Sequence, residues 1–196
     1  MKIKRHIPNM LTIMRMILVP IYLICIYLIG DQLGAELALL VFIVAGVTDY
    51  FDGLLARKFK SITDFGKVID PLADKIIVSV ALITIALPPI SFISVYVVYI
   101  IILREVLVTL LRTWYQKKNI YVSANIWGKL KTTFQMIGII SALVLFAGHY
   151  RIKYISDNKD LFLNILQIFF WFVVVITIVS GITYLPFFNK YQNKEE

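Results

Sequence analysis

The chain has 196 residues, of which 60% are hydrophobic and 16% charged, and its mean hydropathy is +0.82. Soluble domains are nearer ~45–50% apolar, so this composition excludes an ordinary soluble fold and predicts one membrane domain over residues 1–196. The net charge of +8 does not indicate a nucleic-acid partner, because the basic residues stand at the ends of apolar runs and form no stripe. The single cysteine, Cys25, excludes an intrachain disulfide or zinc cluster.

The amino-terminal segment places Lys2, Lys4 and Arg5 before an apolar stretch and superficially resembles a signal peptide. The stretch lacks a small-residue cleavage motif, and further apolar runs follow it. We therefore expect no cleaved signal peptide and interpret the stretch as the first membrane helix.

Six apolar runs approach the ~20 residues that a spanning helix requires. In chain order they cover about residues 9–29, 37–57, 67–87, 90–114, 130–148 and 161–185. Glycine, proline and polar residues separate them. The sequence therefore predicts an all-α, polytopic membrane protein with six transmembrane helices.

The distribution of basic residues predicts the orientation of these helices. The loops 30–36, 87–90 and 149–160 hold only three basic residues, Arg151, Lys153 and Lys159, of the 20 in the chain. By the positive-inside rule, both termini are then cytoplasmic in a multi-pass protein of the cell membrane. All charges within the predicted spans fall in the cytoplasmic half, so we expect the helices to enclose one polar cavity open to the cytoplasm.

The most informative segment holds five aspartates and no other acidic residue. They are Asp49, Asp52, Asp64, Asp70 and Asp74. In helices, the first two share a face with Gly53 and Ala56, and the last two share a face of the next helix. Like charges ~4 Å apart repel by ~4 kcal/mol at an effective dielectric of 20, so four facing carboxylates require cations or raised pKa values. Carboxylate oxygens favour Mg²⁺, Mn²⁺ or Ca²⁺, and two such ions form the usual clamp at phosphorus.

Small and basic residues near the aspartates suit a phosphate-bearing ligand. Gly53 and Ala56 leave room beside the backbone, and Gly66 does so near the turn between the two helices. Arg57 offers a planar fork of donors that matches a phosphate. Asp64 is either a turn or cap residue or a nucleotide contact.

The pattern Asp-x2-Asp-Gly-x2-Ala-Arg-x8-Gly-x3-Asp-x3-Asp, from Asp49 to Asp74, resembles the signature of the CDP-alcohol phosphotransferases without a departure. The resemblance implies that its four aspartates hold two divalent cations, Mg²⁺ or Mn²⁺, and that Asp74 is also the general base. It further implies that Gly53, Arg57 and Thr63 contact the CDP-linked substrate.

Other segments are similar to the bacterial phosphatidylglycerophosphate synthase branch of this family. They are Pro8-Asn9-Met10-Leu11-Thr12 with Arg15, then Arg104-Glu105, and Gly128-Lys129-Leu-Lys131-Thr132-Thr-Phe-Gln135. In that branch the Asn-to-Thr segment lies near the nucleotide, which makes Asn9 and Thr12 candidates for CDP-diacylglycerol binding. The branch implies phosphatidyl transfer from CDP-diacylglycerol to sn-glycerol 3-phosphate, with CMP released. It also implies membrane lipids as surroundings and a homodimer.

Basic residues of the fourth and fifth predicted helices are candidates for binding the acceptor phosphate. They are Arg104, Arg112, Lys129 and Lys131; the alternative is that they snorkel at helix ends. Lys129 and Lys131 diverge by about 200° in a helix. Both reach one phosphate only if the helix start is irregular, as Gly128 permits, or else one of them binds a lipid headgroup. Glu105 either orients Arg104 or faces solvent.

Three alternatives remain open. The aspartate signature is equally compatible with a cardiolipin synthase or a phosphatidylinositol-phosphate synthase, although the basic cluster argues for an anionic acceptor. From another class, a cation or proton transporter also carries intramembrane acids. Against the transporter, the acids cluster at one depth.

Overall fold

A computed structural model describes the backbone of residues 7–59, 64–117 and 126–182, and the side chains of 14–48, 75–115 and 126–182. The helices are α1 (Ile7–Ile24), α2 (Asp31–Phe59), α3 (Asp64–Ala86), α4 (Val95–Lys117), α5 (Ile126–Arg151), α6 (Lys153–Asp157) and α7 (Lys159–Ile182). No strand occurs in these ranges. The predicted all-α fold is confirmed.

Among the residues whose side chains the structure describes, three helical segments are long and apolar enough to cross a membrane: Asp31–Thr48 of α2, then α5 and α7. An 18-residue stretch of α7 has a mean hydropathy of 2.5, yet only 39% of its residues are buried within the protein. Large apolar side chains face outward, among them Leu28 and Ile168, which are 78% and 70% exposed. An outer surface of this kind suits lipid and not water. The protein is therefore a membrane protein, and the six-span arrangement stays a prediction.

The first predicted loop, at 30–36, is wrong. A π-helical turn, Cys25–Ile29, extends α1 as far as Gly30, and α2 begins at the next residue. Gly30 has φ 57°, a conformation that glycine adopts without strain, and Asp31 has φ 45°, so the chain reverses at these two residues. Gly34 then lies directly against the carbonyl of Cys25, where a Cβ atom would clash. The polar residues of 31–36 thus form the first turns of α2.

The fourth helix begins at Val95, five residues later than the predicted span. Before it the chain turns, with Ile90 N donating to Leu87 O at 3.1 Å and Phe92 N donating to Ile85 O at 2.8 Å. The amide of Ser94 donates to Oε1 of Gln167 on α7 at 3.0 Å. These bonds satisfy the backbone outside the helix, which is why the apolar run of 90–94 remains a turn.

Helix packing brings α1 to α5 around one polar cavity. α1 packs against α2 and α3, α5 packs against α2 and α7, and α4 packs chiefly against α7. The largest fully buried apolar side chains of the core are Tyr22, Phe42, Phe170, Ile26, Leu82, Ile85, Ile101, Ile139 and Leu143. Within this core, Tyr22 Oη and Thr84 Oγ1 share a hydrogen bond of 2.8 Å, which ties α1 to α3. The core joins α1 to α5 and α7, and it is the scaffold for the polar cavity described next.

Candidate active site

A cavity of about 680 Å³ lies among α1 to α5. Six basic side chains line it: Arg15, Lys75, Arg104, Arg112, Lys129 and Lys131. Glu105 is the one acidic side chain among the described lining residues. Five of these six cations, all except Lys75, were identified from the sequence, and the structure brings all six to one cavity. So many positive charges around one cavity favour the binding of anionic groups, because a bound anion offsets the repulsion among the basic side chains.

Glu105 forms an ion pair with Lys131, from α4 to α5. The Lys131 ammonium donates to Glu105 Oε1, and Lys131 as a residue is only 4% exposed. Neither predicted role of Glu105, orienting Arg104 or facing solvent, describes this contact. A buried lysine requires such a counter-charge, because an unpaired charge is costly away from water.

Lys129 and Lys131 have different surroundings, as their spacing along the helix predicted. α5 begins at Ile126, so both residues lie within regular helix and an irregular start is wrong. Lys131 is buried against Glu105, whereas Lys129 is exposed at the rim of the cavity. The other predicted alternative, with separate anions for the two lysines, agrees with this geometry.

Lys75 is a cavity residue that the sequence analysis missed. Its ammonium donates to Thr109 Oγ1 on α4, and Thr109 Oγ1 donates to the backbone carbonyl of Glu105 at 2.6 Å. Lys75 directly follows Asp74, so it carries a positive charge to the aspartate segment. A lone lysine within an apolar run was the available signal, because intramembrane charges mark functional sites.

Arg104 is held in place by α7. Its Nη2 donates to Ser180 Oγ at 2.6 Å, and Ser180 Oγ donates to the carbonyl of Thr177 at 3.0 Å. A Cβ atom at Gly181 would lie 3.4 Å from Arg104 Nε, so the guanidinium packs close against the α7 backbone. The sequence offered no signal for Ser180, which lies 76 residues from Arg104.

Two further buried polar residues line the cavity. Arg15 is 1% exposed, and in the sequence it was identified only as the basic residue that follows the Pro8-to-Thr12 segment. Gln135 is also 1% exposed and lies one helical turn beyond Lys131. Its Nε2 is buried and has no hydrogen-bond partner among the described residues.

The aspartate segment is helical in both of its described parts, up to Phe59 and from Asp64 onward. Asp49 and Asp52 lie in α2, and Asp70 and Asp74 lie in α3, so each pair has the helical spacing that the signature requires. The side chains of these aspartates lie outside the described residues, as do those of the CDP-diacylglycerol candidates Asn9, Thr12, Gly53, Ala56, Arg57, Asp64 and Gly66, while Thr63 lies outside the described backbone. Within the described side chains, no group of three metal-ligating residues occurs.

Comparison with known proteins identifies the class. Residues 5–179 match the model of the CDP-alcohol phosphatidyltransferase family, so the chain belongs to that family. The family resemblance of the aspartate signature is thereby confirmed, and the protein is a membrane-embedded transferase.

Individual relatives carry a more specific name. The chain is 33% identical over 191 residues to the CDP-diacylglycerol–glycerol-3-phosphate 3-phosphatidyltransferase of Rickettsia prowazekii (strain Madrid E), covering 97% of this chain and 99% of that one. The Haemophilus influenzae protein of the same name is 35% identical over 184 residues, with 93% and 92% covered. That of Wigglesworthia glossinidia brevipalpis is 42% identical over 140 residues, with 70% and 76% covered.

Proposed function

We propose that the protein transfers the phosphatidyl group of CDP-diacylglycerol to sn-glycerol 3-phosphate, giving phosphatidylglycerophosphate and CMP. The observation that carries this proposal is the cavity lined by six basic side chains, in which Glu105 is the one acidic side chain among the described lining residues. The reaction unites a pyrophosphate-containing lipid with a phosphorylated alcohol, so the site must hold several anionic groups at once. The names of the relatives agree with this acceptor.

The acceptor phosphate is assigned to the basic cluster on α4 and α5. Arg104, fixed by Ser180, offers a planar fork of donors, and Lys131 offers a point charge from the opposite helix. Lys129 at the rim and Arg112 further along α4 complete the cluster and attract the acceptor from the cytoplasm. We assign Lys131 to the acceptor and Lys129 to a lipid or entry contact, because the two side chains leave the helix in different directions.

The donor is assigned to the aspartate segment. Gly53, Ala56, Arg57, Thr63, Asp64 and Gly66, with Asn9 and Thr12, are the candidates for the CDP-diacylglycerol head. Asp49, Asp52, Asp70 and Asp74 form an all-oxygen donor set that fits two divalent cations, Mg²⁺ or Mn²⁺. Such ions, when bound, neutralise charge on the pyrophosphate and on the departing CMP.

Asp74 is proposed to take the proton from the primary hydroxyl of glycerol 3-phosphate. The hydroxyl oxygen forms a bond to the phosphorus of the phosphatidyl group, and the bond from that phosphorus to the oxygen of CMP breaks. Lys75, next to Asp74 in the chain and held by Thr109, supplies positive charge beside the reacting phosphates. Burial of the cavity strengthens these attractions because the local dielectric is low.

The test is an acceptor panel with purified protein, CDP-diacylglycerol and Mg²⁺ in detergent, measuring CMP release and lipid product. Glycerol 3-phosphate should give phosphatidylglycerophosphate. Product from phosphatidylglycerol alone would indicate a cardiolipin synthase, and product from inositol phosphate would indicate a phosphatidylinositol-phosphate synthase. No CMP release with any acceptor, together with ion flux in liposomes, would favour a transporter.

The surroundings of the enzyme belong to the same proposal. We infer six membrane helices, both termini in the cytoplasm, and a cavity open to that side, since the soluble acceptor enters there while the acyl chains stay in the bilayer. A homodimer is also expected. Light scattering of the protein in detergent, corrected for bound detergent, measures the mass of the protein component.

A further inference from the structure

Two polar side chains of the cavity wall have no task in the chemistry above. The Glu105 carboxylate accepts from Lys131 through Oε1, and Lys131 alone among the described side chains bonds to it. The Glu105 side chain is 14% exposed toward the cavity, which leaves it accessible to a ligand. Gln135 is buried, and its Nε2 lacks a partner in the described part of the chain. A buried amide in this state is unfavourable unless a ligand or water completes it.

These two side chains lie on one patch of the wall. Lys131 and Gln135 are four residues apart on α5, so they are neighbours on one helical face. Glu105 reaches the same face from α4 through its contact with Lys131. The patch therefore combines a carboxylate with an amide, beside the basic side chains of Arg104 and Lys131.

A carboxylate only accepts hydrogen bonds, whereas an amide NH₂ donates them. An ionised phosphate is repelled by the carboxylate, but a hydroxyl group fits both, because it donates its hydrogen to one and accepts from the other. The patch can bind a hydroxyl group, and the basic cluster beside it can bind an anion. Together they match a phosphorylated polyol.

We propose that Glu105 and Gln135 bind the C2 hydroxyl of glycerol 3-phosphate, the hydroxyl that does not react. Glu105 accepts the hydrogen of this hydroxyl, and Gln135 Nε2 donates to its oxygen. The two residues thereby select an acceptor that has a second hydroxyl on the carbon next to the one bearing the attacking hydroxyl, and they take no part in the proton transfer assigned to Asp74. The inference rests on the proposed function and adds a specificity site to it.

The test compares glycerol 3-phosphate with 3-hydroxypropyl phosphate, which keeps the phosphate and the primary hydroxyl but lacks the C2 hydroxyl. The wild type should prefer glycerol 3-phosphate in kcat/KM by roughly 10- to 150-fold, the range for a hydrogen bond to a charged group. Glu105→Gln and Gln135→Met each weaken or remove one of the two bonds, so each should lower this ratio by about 2- to 13-fold, the range for a single hydrogen bond. The ratio isolates the hydroxyl, because any disturbance of Lys131 weakens both acceptors through their common phosphate.

Gln167→Met is the matched control. Gln167 carries a partly buried amide on α7, outside the cavity lining, where its Oε1 accepts from the amide of Ser94. This variant should keep the wild-type ratio even if its stability falls.

The outcomes separate clearly. The proposal is overturned if the wild type does not discriminate between the two acceptors. It is also overturned if the kcat/KM ratio is unchanged in both cavity variants, or if it falls equally in the control. If the ratio falls in only one cavity variant, the C2 hydroxyl is assigned to that side chain alone, and the joint binding by Glu105 and Gln135 is overturned. If the wild type uses neither acceptor, the proposed function fails; if it uses both equally well, only this inference fails.

Discussion

The ion pair between Lys131 and Glu105 gives the sharpest test of the cavity. Changing Lys131 to Met keeps an unbranched side chain of nearly the same length but leaves the Glu105 carboxylate without its partner. Removing one member of a buried pair typically costs ~3–5 kcal/mol. Glu105 retains 14% exposure in a cavity that admits water, and Lys75 and Arg104 lie nearby, so we expect a smaller loss of about 1–3 kcal/mol.

For a chain of this size, ~1 kcal/mol corresponds to about 2–4 °C in Tm, so Lys131→Met should lower Tm by about 2–12 °C. The single cysteine provides the assay. Cys25 is 4% exposed, so a thiol-reactive fluorescent dye labels it as the protein unfolds during heating in detergent.

The double variant Lys131→Met with Glu105→Gln removes both charges and should regain stability to within about 1 kcal/mol of the wild type. Lys129→Met is the control on the same helix, because Lys129 is exposed; its Tm should stay within about 2 °C. A double variant as unstable as the single one, or a single variant with unchanged Tm, would refute the reasoning.

Three further predictions concern catalysis and topology. Asp74→Asn should lower kcat by about 10²- to 10⁴-fold while CDP binding partly survives, and a chelator should abolish turnover until Mg²⁺ or Mn²⁺ is restored; full activity in metal-free protein would contradict the metal assignment. Ser180→Ala removes the 2.6 Å bond that holds Arg104, so KM for glycerol 3-phosphate should rise by about 3- to 30-fold with little change in KM for CDP-diacylglycerol, and the reverse pattern would place Arg104 on the donor. In a cysteine-free background, a cysteine at exposed Tyr154 should react with an impermeant maleimide on intact cells, whereas one at exposed Ile126 should react only after permeabilisation; the opposite labelling would invert the orientation.

Local sequence features determined the class of protein. Six apolar runs predicted helices at nearly the observed places, because helix formation in a membrane depends on length and hydropathy within one segment. The spacing of the four signature aspartates is likewise local, since i,i+3 and i,i+4 positions share a face whatever surrounds the helix. The family followed from that spacing, and comparison with known proteins confirmed it.

The fine structure of the site was decided by tertiary packing. Whether Glu105 meets Arg104, solvent or Lys131 depends on the rotation of α4 against α5, which periodicity does not specify. The support of Arg104 by Ser180 and of Lys75 by Thr109 joins residues 76 and 34 positions apart in the chain. In the sequence, Gln135 was only the last residue of the Gly128-to-Gln135 segment, and only its burial in the cavity wall gives it a candidate role. A single sequence sets the pattern of each helix, but the contacts between helices arise only when their faces are packed together.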